Sequence, residues 1–250
     1  FQVLSALTRG QAKRHPVTIP EGYTLIQIAQ LLQDLGIVDG QAFIDKTSSP
    51  TFVATLGLTS SGSAGHGATL EGYLFPDTYH FVKEMTPEQV IQMMVNRFKK
   101  VFTPDLTEKA FLVGFSEREV VILASIIEKE TSLREEKPLI SAVFHNRLKK
   151  KMPLQSDPTV IYGIKGFDGN LKKEHLTKPT PYNTYLVLGL PPTPICNPGQ
   201  DSMEAAVSPA PVPYLYFVSK NDGSHHFSAT IEEHNRAVLK YQTKNNLTKR

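Results

Sequence analysis

The stretch Val120-Val121-Ile122-Leu123-Ala124-Ser125-Ile126-Ile127-Glu128-Lys129-Glu130-Thr131 most limits how this chain can fold. An almost unbroken apolar run leads straight into two glutamates. Ser116, with Glu119 three residues on, has the spacing of a capping box, so the run reads as a helix entered at Ser116. At roughly 100° per residue, Val120, Leu123, Ala124, Ile127 and Thr131 share one face, which marks a core helix. Glu130 projects to one flank of that face, between Leu123 and Ile126. Glu128 projects to the other, between Ala124 and Val121, and Lys129 points away with Ser125. Both acids border apolar neighbours, and those of Glu130 are larger. Burial disfavours a carboxylate and raises its pKa. An acid kept protonated near neutral pH is what protonation of a glycosidic oxygen needs. The same position also suits an acid that only flanks a core and pairs with Lys129 or Arg134.

Around this helix the chain reads as α+β. His15 to Pro20 predicts a short strand. Thr24, with Gln27 in capping-box spacing, opens a helix striped by Ile28, Leu31, Leu32 and Leu35 and ended by Gly36. A second short helix is expected over Gly40 to Lys46. Residues 60–67, Ser-Ser-Gly-Ser-Ala-Gly-His-Gly, read as a linker, and the domain boundary is placed there. Residues 70–81 are too aromatic and proline-broken for a helix. Thr86-Pro87-Glu88 opens a helix to about Val101, and Pro138 opens another through Leu148. Residues 177–213 read as loop with room for short helices. Tyr214 to Val218, a turn at Asn221-Asp222-Gly223, and His225 to Ser228 predict a hairpin. A last helix is expected from Thr230 to Thr243.

Several classes are disfavoured. The chain has 250 residues, 40% hydrophobic and 20% charged, so it can bury a core without staples. Its single cysteine, Cys196, rules out an internal disulfide framework and a cysteine-only zinc site, and in its proline-rich loop it reads as an inert thiol. No H-E-x-x-H or other tight ligand spacing occurs among the eight histidines, and strand alternation parts His225 from His226, so no metal is expected. The basic runs at residues 97–100 and 149–151 fall at helix C-termini, where cations complement the dipole, so nucleic acid is not an expected partner. The net charge of +3 says little. There is no G-x-S-x-G elbow, no signal peptide and no apolar run of about 18 residues. The chain begins at Phe1 and reads as a trimmed piece of something longer.

A two-acid hydrolase would need a partner carboxylate, for which Glu71, Asp77, Glu128 and Asp157 are open alternatives; Asp77 and Asp157, each beside a proline, also suit turns. Tyr73, Tyr79, Tyr162, Tyr182 and Tyr185, with Gln155, Asn183 and Asn197, lie in loop-like segments. Aromatic faces and amides suit a glycan groove, and they equally suit loops packed on a core.

The ordered set LEGYLFPDTYHF (70–81), ASIIEKET (124–131), FHNRL (144–148), LQSDPTVIYGI (154–164), PYNTYLVLGLPPTPICNPG (181–199) and YLYFV…HHFSATIEEHN (214–235) resembles the endolytic murein transglycosylases, the YceG-like family. IPEGYTLIQIAQLL near the start is similar to that family's LysM-like part. The resemblance implies a small LysM-like α/β subdomain over 1–60 and a larger mixed catalytic domain over 61–250. It implies a lyase that cleaves the β-1,4 bond between N-acetylmuramic acid (MurNAc) and N-acetylglucosamine (GlcNAc) inside peptidoglycan strands. The muramic 6-hydroxyl attacks its own anomeric carbon and leaves a 1,6-anhydro end, with one glutamate as acid and base and no cofactor. Related lytic enzymes carry that acid as a Glu-Ser pair, which Glu130-Thr131-Ser132 resembles more than Glu128-Lys129 does. Glu130 is therefore the expected catalytic residue, with Glu71, Tyr73, Gln155, Asp157, Tyr162, Tyr182 and Asn183 expected to bind substrate. The resemblance also implies a single-pass inner-membrane protein with an extracytoplasmic, periplasmic catalytic domain, its anchoring helix absent from this chain. It brings in cell-wall synthases as partners, though no residue of the chain shows them. A non-catalytic peptidoglycan-binding scaffold is the alternative, and it predicts an exposed Glu130 with no groove beside it.

Overall fold

A computed structural model describes residues 14–58, 69–83 and 85–243; the expected linker at 60–67 lies outside them. The fold is α+β, helices with two small two-stranded antiparallel sheets among the described residues. Strand β1 (Arg14–Thr18) leads to helices α1 (Leu25–Asp34), α2 (Gly40–Thr47) and α3 (Pro50–Thr55), then to β2 (Thr78–Val82). Helices α4 (Pro87–Val101), α5 (Pro104–Leu112), α6 (Glu117–Glu130) and α7 (Lys137–Lys149) follow, with a 3-10 turn at Arg134–Glu136. Shorter helices α8 (Asp157–Tyr162), α9 (Lys173–Thr177) and α10 (Gln200–Val207) precede β3 (Tyr216–Ser219), β4 (His225–Ser228) and α11 (Ile231–Val238), which ends in a π turn at Leu239–Thr243.

The helix starts are those the caps predict. Thr24/Gln27, Thr86/Gln89 and Ser116/Glu119 all form reciprocal capping boxes. Thr103-Pro104 caps α5 and Ser49-Pro50 caps α3 in the same way as Thr86-Pro87, and neither helix was expected from the sequence. Asp157, which beside its proline also suits a turn, instead begins α8.

Two apolar clusters form the interior. The first joins β1, α1, α2, α3, β2 and the front half of α4, from Val17 through Phe43 and Phe81 to Val95. It crosses the expected boundary at residue 60, because among the described residues β1 pairs with β2 alone, in register from Arg14↔Val82 to Thr18↔Thr78. The second cluster gathers around α6 and includes Phe98 and Val101 from the rear of α4, so that one helix serves both.

Helix α6 is buried all round, not on one face: every residue from Val120 to Ile127 is buried. It packs on α5, α7, α8 and α10. The side carrying Ser125 is covered by the chain at 193–198. Ser125 Oγ accepts from Ile195 N at 3.0 Å and donates to Ile122 O at 2.7 Å, and the Cys196 thiol donates to Ser125 O. Cys196 is fully buried, which pushes its pKa well up and suits an inert thiol.

That covering segment is tied down by Asn197, itself fully buried. Its Oδ1 accepts from Gly72 N and Leu74 N, both at 2.9 Å. Its Nδ2 donates to Tyr23 O and to Glu71 Oε1, both at 3.0 Å. Its backbone pairs with Gly22 N and Tyr23 O, each at 2.9 Å. Three distant stretches thus share one amide.

Gly72 makes this close approach possible. Its φ is +89°, and a Cβ there would lie 2.6 Å from Pro194 and 2.7 Å from Val121. Gly169 has a similar φ of +90° with nothing within 4 Å. We expect Gly169→Ala to cost about 1 kcal/mol from backbone strain alone. Gly72→Ala should cost roughly 3 kcal/mol or more, because overpacking adds to that strain. Urea unfolding of the two variants measures both; equal losses would show that the contact at Gly72 is slack.

Candidate active site

Glu130 is the last residue of α6, and the chain turns at once to extended backbone at Thr131 (φ −146°). The turn is pinned from beyond the helix. Thr131 Oγ1 donates to Glu136 Oε2 at 3.2 Å and accepts from Leu133 N at 3.1 Å. Glu136 in turn accepts from His225 N at 2.8 Å and lies 2.7 Å from His225 Nδ1. The end of α6 is thereby anchored to strand β4.

Ser156 Oγ donates to Glu130 Oε1 at 2.5 Å. Ser156 is buried at the entry to α8, and its own N–H is taken by Thr184 Oγ1 at 3.0 Å. Arg147 of α7 braces the same segment from below. Its Nε donates to Leu215 O and its Nη1 to Leu154 O, both at 2.7 Å. Nη1 also reaches Gln155 Oε1 at 3.4 Å. The buried guanidinium lies 5.4 Å from the Tyr216 ring centre.

These groups surround a cavity of about 310 Å³ lined by Glu130, Arg147, Gln155, Asp157, Tyr185, Tyr216, Phe217, Ile231 and His234. Desolvation by burial raises the Glu130 pKa from 4.5 to about 7; Asp157 adds to the rise, while the Ser156 hydrogen bond and Arg147 oppose it. The C-terminal end of a helix, the negative end of its dipole, is also a poor place for a carboxylate. Across the cavity Tyr185 Oη donates to Asp157 Oδ1 at 2.6 Å. The site can therefore hold a proton at Glu130 near neutral pH and give it to a group entering the cavity.

Glu128 has a different environment. It lies roughly 200° around the helix from Glu130. Its Oε2 accepts from Ser202 Oγ at 2.6 Å and Gly199 N at 3.0 Å. Both its oxygens meet Lys137 Nζ, at 3.2 and 3.3 Å, and the two side chains are 8% and 5% exposed. Those donors close it in on all sides.

Of the substrate-binding residues expected from the sequence, only Gln155 and Asp157 line the cavity with Glu130. Glu71 is buried at the junction of the two clusters, accepting from Leu25 N at 2.9 Å, Asn197 Nδ2 at 3.0 Å and Tyr162 Oη at 3.1 Å. Burial raises its pKa to about 7 as well, against the pull of those donors. Tyr162 packs edge-on to Tyr182 at 5.0 Å, and the Tyr182 hydroxyl bonds Thr193 Oγ1 at 2.7 Å. Tyr73 is buried edge-on to Phe98. Asn183 is fully buried; its amide donates to Lys178 O at 2.8 Å and Leu176 O at 3.0 Å, and its Oδ1 accepts from Tyr185 N. These five hold loops onto the core, because their polar atoms are bonded inward or their rings are packed away from solvent.

Sequence reasoning assigned no role to Ser156, Arg147, Tyr216, Phe217, Ile231 or His234, and weighed Tyr185 only as one loop tyrosine among several. Each lies inside one of the family-like motifs, so the signal was present in the strings but not in any spacing rule. Among the described residues no group of three or more His, Cys, Asp or Glu is arranged to hold a metal.

The model of the YceG-like family matches residues 1–240. The endolytic murein transglycosylase of Bacillus subtilis is 35% identical over 241 residues, covering 92% of this chain and 66% of that protein. That of Streptococcus pneumoniae (strain D39) is 32% identical over 250 residues, covering 90% of this chain and 44% of that protein. The chain thus spans just under two thirds of the first relative's length and less than half of the second's. A solved YceG-like protein of Listeria monocytogenes superposes with a TM-score of 0.81 at 34% identity, covering 94% of this chain and 79% of that one. Matched by the family model almost end to end and by relatives above 30% identity over nine-tenths of its length, the chain belongs to the YceG-like family.

Proposed function

We propose that this chain is an endolytic peptidoglycan lytic transglycosylase, with Glu130 as its single acid and base. The observation that carries the reading is a half-buried carboxyl that lines a polar cavity, its pKa raised to about 7 by desolvation. The relatives are named as endolytic murein transglycosylases. In the proposed step the Glu130 carboxyl protonates the oxygen of the MurNAc-β-1,4-GlcNAc bond. That bond breaks, charge develops at the anomeric carbon, and the muramic 6-hydroxyl adds to it. Its proton returns to the Glu130 carboxylate, and a 1,6-anhydro end is left without water being consumed. Ser156 would aim the carboxyl. Arg147 would balance the carboxylate that exists between the two proton transfers. Asp157, held by Tyr185, would face the developing positive charge, and Gln155 would position the strand.

The unit closed by β1 and β2 is proposed as the LysM-like part, with its second strand drawn from beyond residue 60. Peptidoglycan lies outside the cytoplasm, so the catalytic part is proposed to work there, with cell-wall synthases as neighbours. Among the described residues no helix is long and apolar enough to cross a membrane, so the proposed single-pass inner-membrane anchor would have to come from residues other than these.

One observation favours a second reading. Asp157 shares the cavity with Glu130, as the base of a two-acid hydrolase would. Digestion of intact glycan strands followed by mass spectrometry separates the two, since the lytic reaction leaves 1,6-anhydro ends and the hydrolase leaves reducing ends.

Glu130→Gln should lower cleavage by at least about 100-fold while melting normally. Glu128→Gln should instead lose stability, by roughly 3 kcal/mol, because Lys137 is left buried beside a neutral amide. Activity lost in Glu128→Gln and kept in Glu130→Gln would reverse the assignment, and cleavage by neither the native chain nor any variant would favour the scaffold alternative. The pH profile has a fixed sign. The reactive form is the protonated acid, so cleavage should be highest below pH 7 and fall about tenfold per unit above it. Rates measured between pH 5 and 9 test this; a rate that rises through pH 7 would contradict an acid at Glu130.

A further inference from the structure

We propose that His234 is a substrate-binding residue of the Glu130 cavity, offering its Nε2 edge to a sugar hydroxyl on the strand being cut. The proposal deepens the transglycosylase reading and rests on it. Helix α11 starts from the Thr230/Glu233 capping box, and its Ile231 and His234, three residues apart, both line the cavity. The His234 ring is fixed in plane by stacking on Tyr216, with centres 5.2 Å apart and 26° between the rings. Tyr216 is also the ring beside which the Arg147 guanidinium sits. The imidazole is therefore held by packing, with no hydrogen bond to either nitrogen among the described residues.

The two nitrogens differ. Nδ1 is buried and has no partner among the described residues. An imidazolium would leave an unpaired N–H there, next to positive charge. Burial, then Arg147, then His226 push the His234 pKa down, so the ring is neutral at neutral pH. Nε2 is the polar edge left to the cavity. A neutral imidazole accepts from a hydroxyl with its free lone pair or donates to a carbonyl with its N–H. The titratable groups around it are Glu130, Asp157 and Arg147 in the cavity, with His226 also nearby. The first three have roles in the reaction proposed above, and His234 supplies a donor or acceptor that takes no part in its proton transfers or charge balance.

The test uses Glu130→Gln protein, which should hold glycan strands without cutting them. Binding of uncrosslinked strands is measured by calorimetry to this protein and to its His234→Phe double variant. Phenylalanine keeps the stack on Tyr216 and removes Nε2. Binding should weaken about tenfold, the value of one hydrogen bond to a sugar. In the otherwise native enzyme His234→Phe should raise KM by a similar factor with kcat within about threefold, and His234→Gln should recover part of the loss. Equal binding in the two proteins would overturn the inference and leave the transglycosylase reading standing. Failure of Glu130→Gln and the native chain to bind strands at all would overturn both. If His234→Phe does not fold, the imidazole ¹⁵N resonances of Glu130→Gln decide: a shift at Nε2 on adding strands supports the contact, and no shift rejects it.

Discussion

The Asn197 amide is where three stretches far apart in the chain meet, and the placement of α6 depends on it. A helix buried from Val120 to Ile127 on every side needs a lid as well as neighbours. Here the lid is an irregular strip of chain at 193–199, which has no ladder to satisfy its own peptide groups. Asn197 supplies bonds in both directions, accepting from the 72–74 turn and donating to Tyr23 and Glu71. Each such bond is worth about 1 kcal/mol net, but an N–H left unpaired in this interior costs up to about 3 kcal/mol. The arrangement is therefore closer to all-or-none than the individual bonds suggest.

Three acidic side chains in or beside this core show that burial alone does not mark a reactive group. Glu71 and Glu130 are both raised to about 7 by burial. Glu71 is enclosed, with donors from Leu25, Asn197 and Tyr162 occupying its oxygens. Glu128 is enclosed with a lysine, a serine and a backbone N–H. Glu130 alone of the three opens on a cavity, with a single protein donor on one oxygen. What separates them is the remaining free valence and the space in front of it, not the acidity.

This explains what was legible in the sequence. Helix starts are local: Thr24 and Ser116 announced them through side chains three residues away, and Thr86 through the proline and acid that follow it. The hairpin at 216–228 was announced by Asn221-Asp222-Gly223 in the same way. The flank position of Glu130 was also local, since it follows from helical geometry. The groove was not. Ser156 reaches Glu130 across 26 positions and Arg147 reaches Leu215 across 68. Tyr162, Tyr182 and Asn183 lie in the right loops, yet their polar groups turn inward, and nothing in their spacing distinguishes a tyrosine that lines a groove from one that seals it. The boundary placed at residue 60 had the same weakness: β1 finds its partner only at 78–82, and a composition shift carries no information about pairing.

The anchoring of Thr131 through Glu136 to His225 has a consequence in time. The cavity needs Leu215 to hold Arg147, Tyr216 and Phe217 for a wall, and α11 for its rim. All of these come from the last fifth of the chain. A ribosome delivers them some 85 residues or more after Glu130, and a nascent polypeptide that already contains Glu130 still lacks the chamber around it. A chain clipped before the hairpin at 216–228 would keep its acid and lose its enclosure, so the order of synthesis itself delays the walls around Glu130 until well after the helix that carries it.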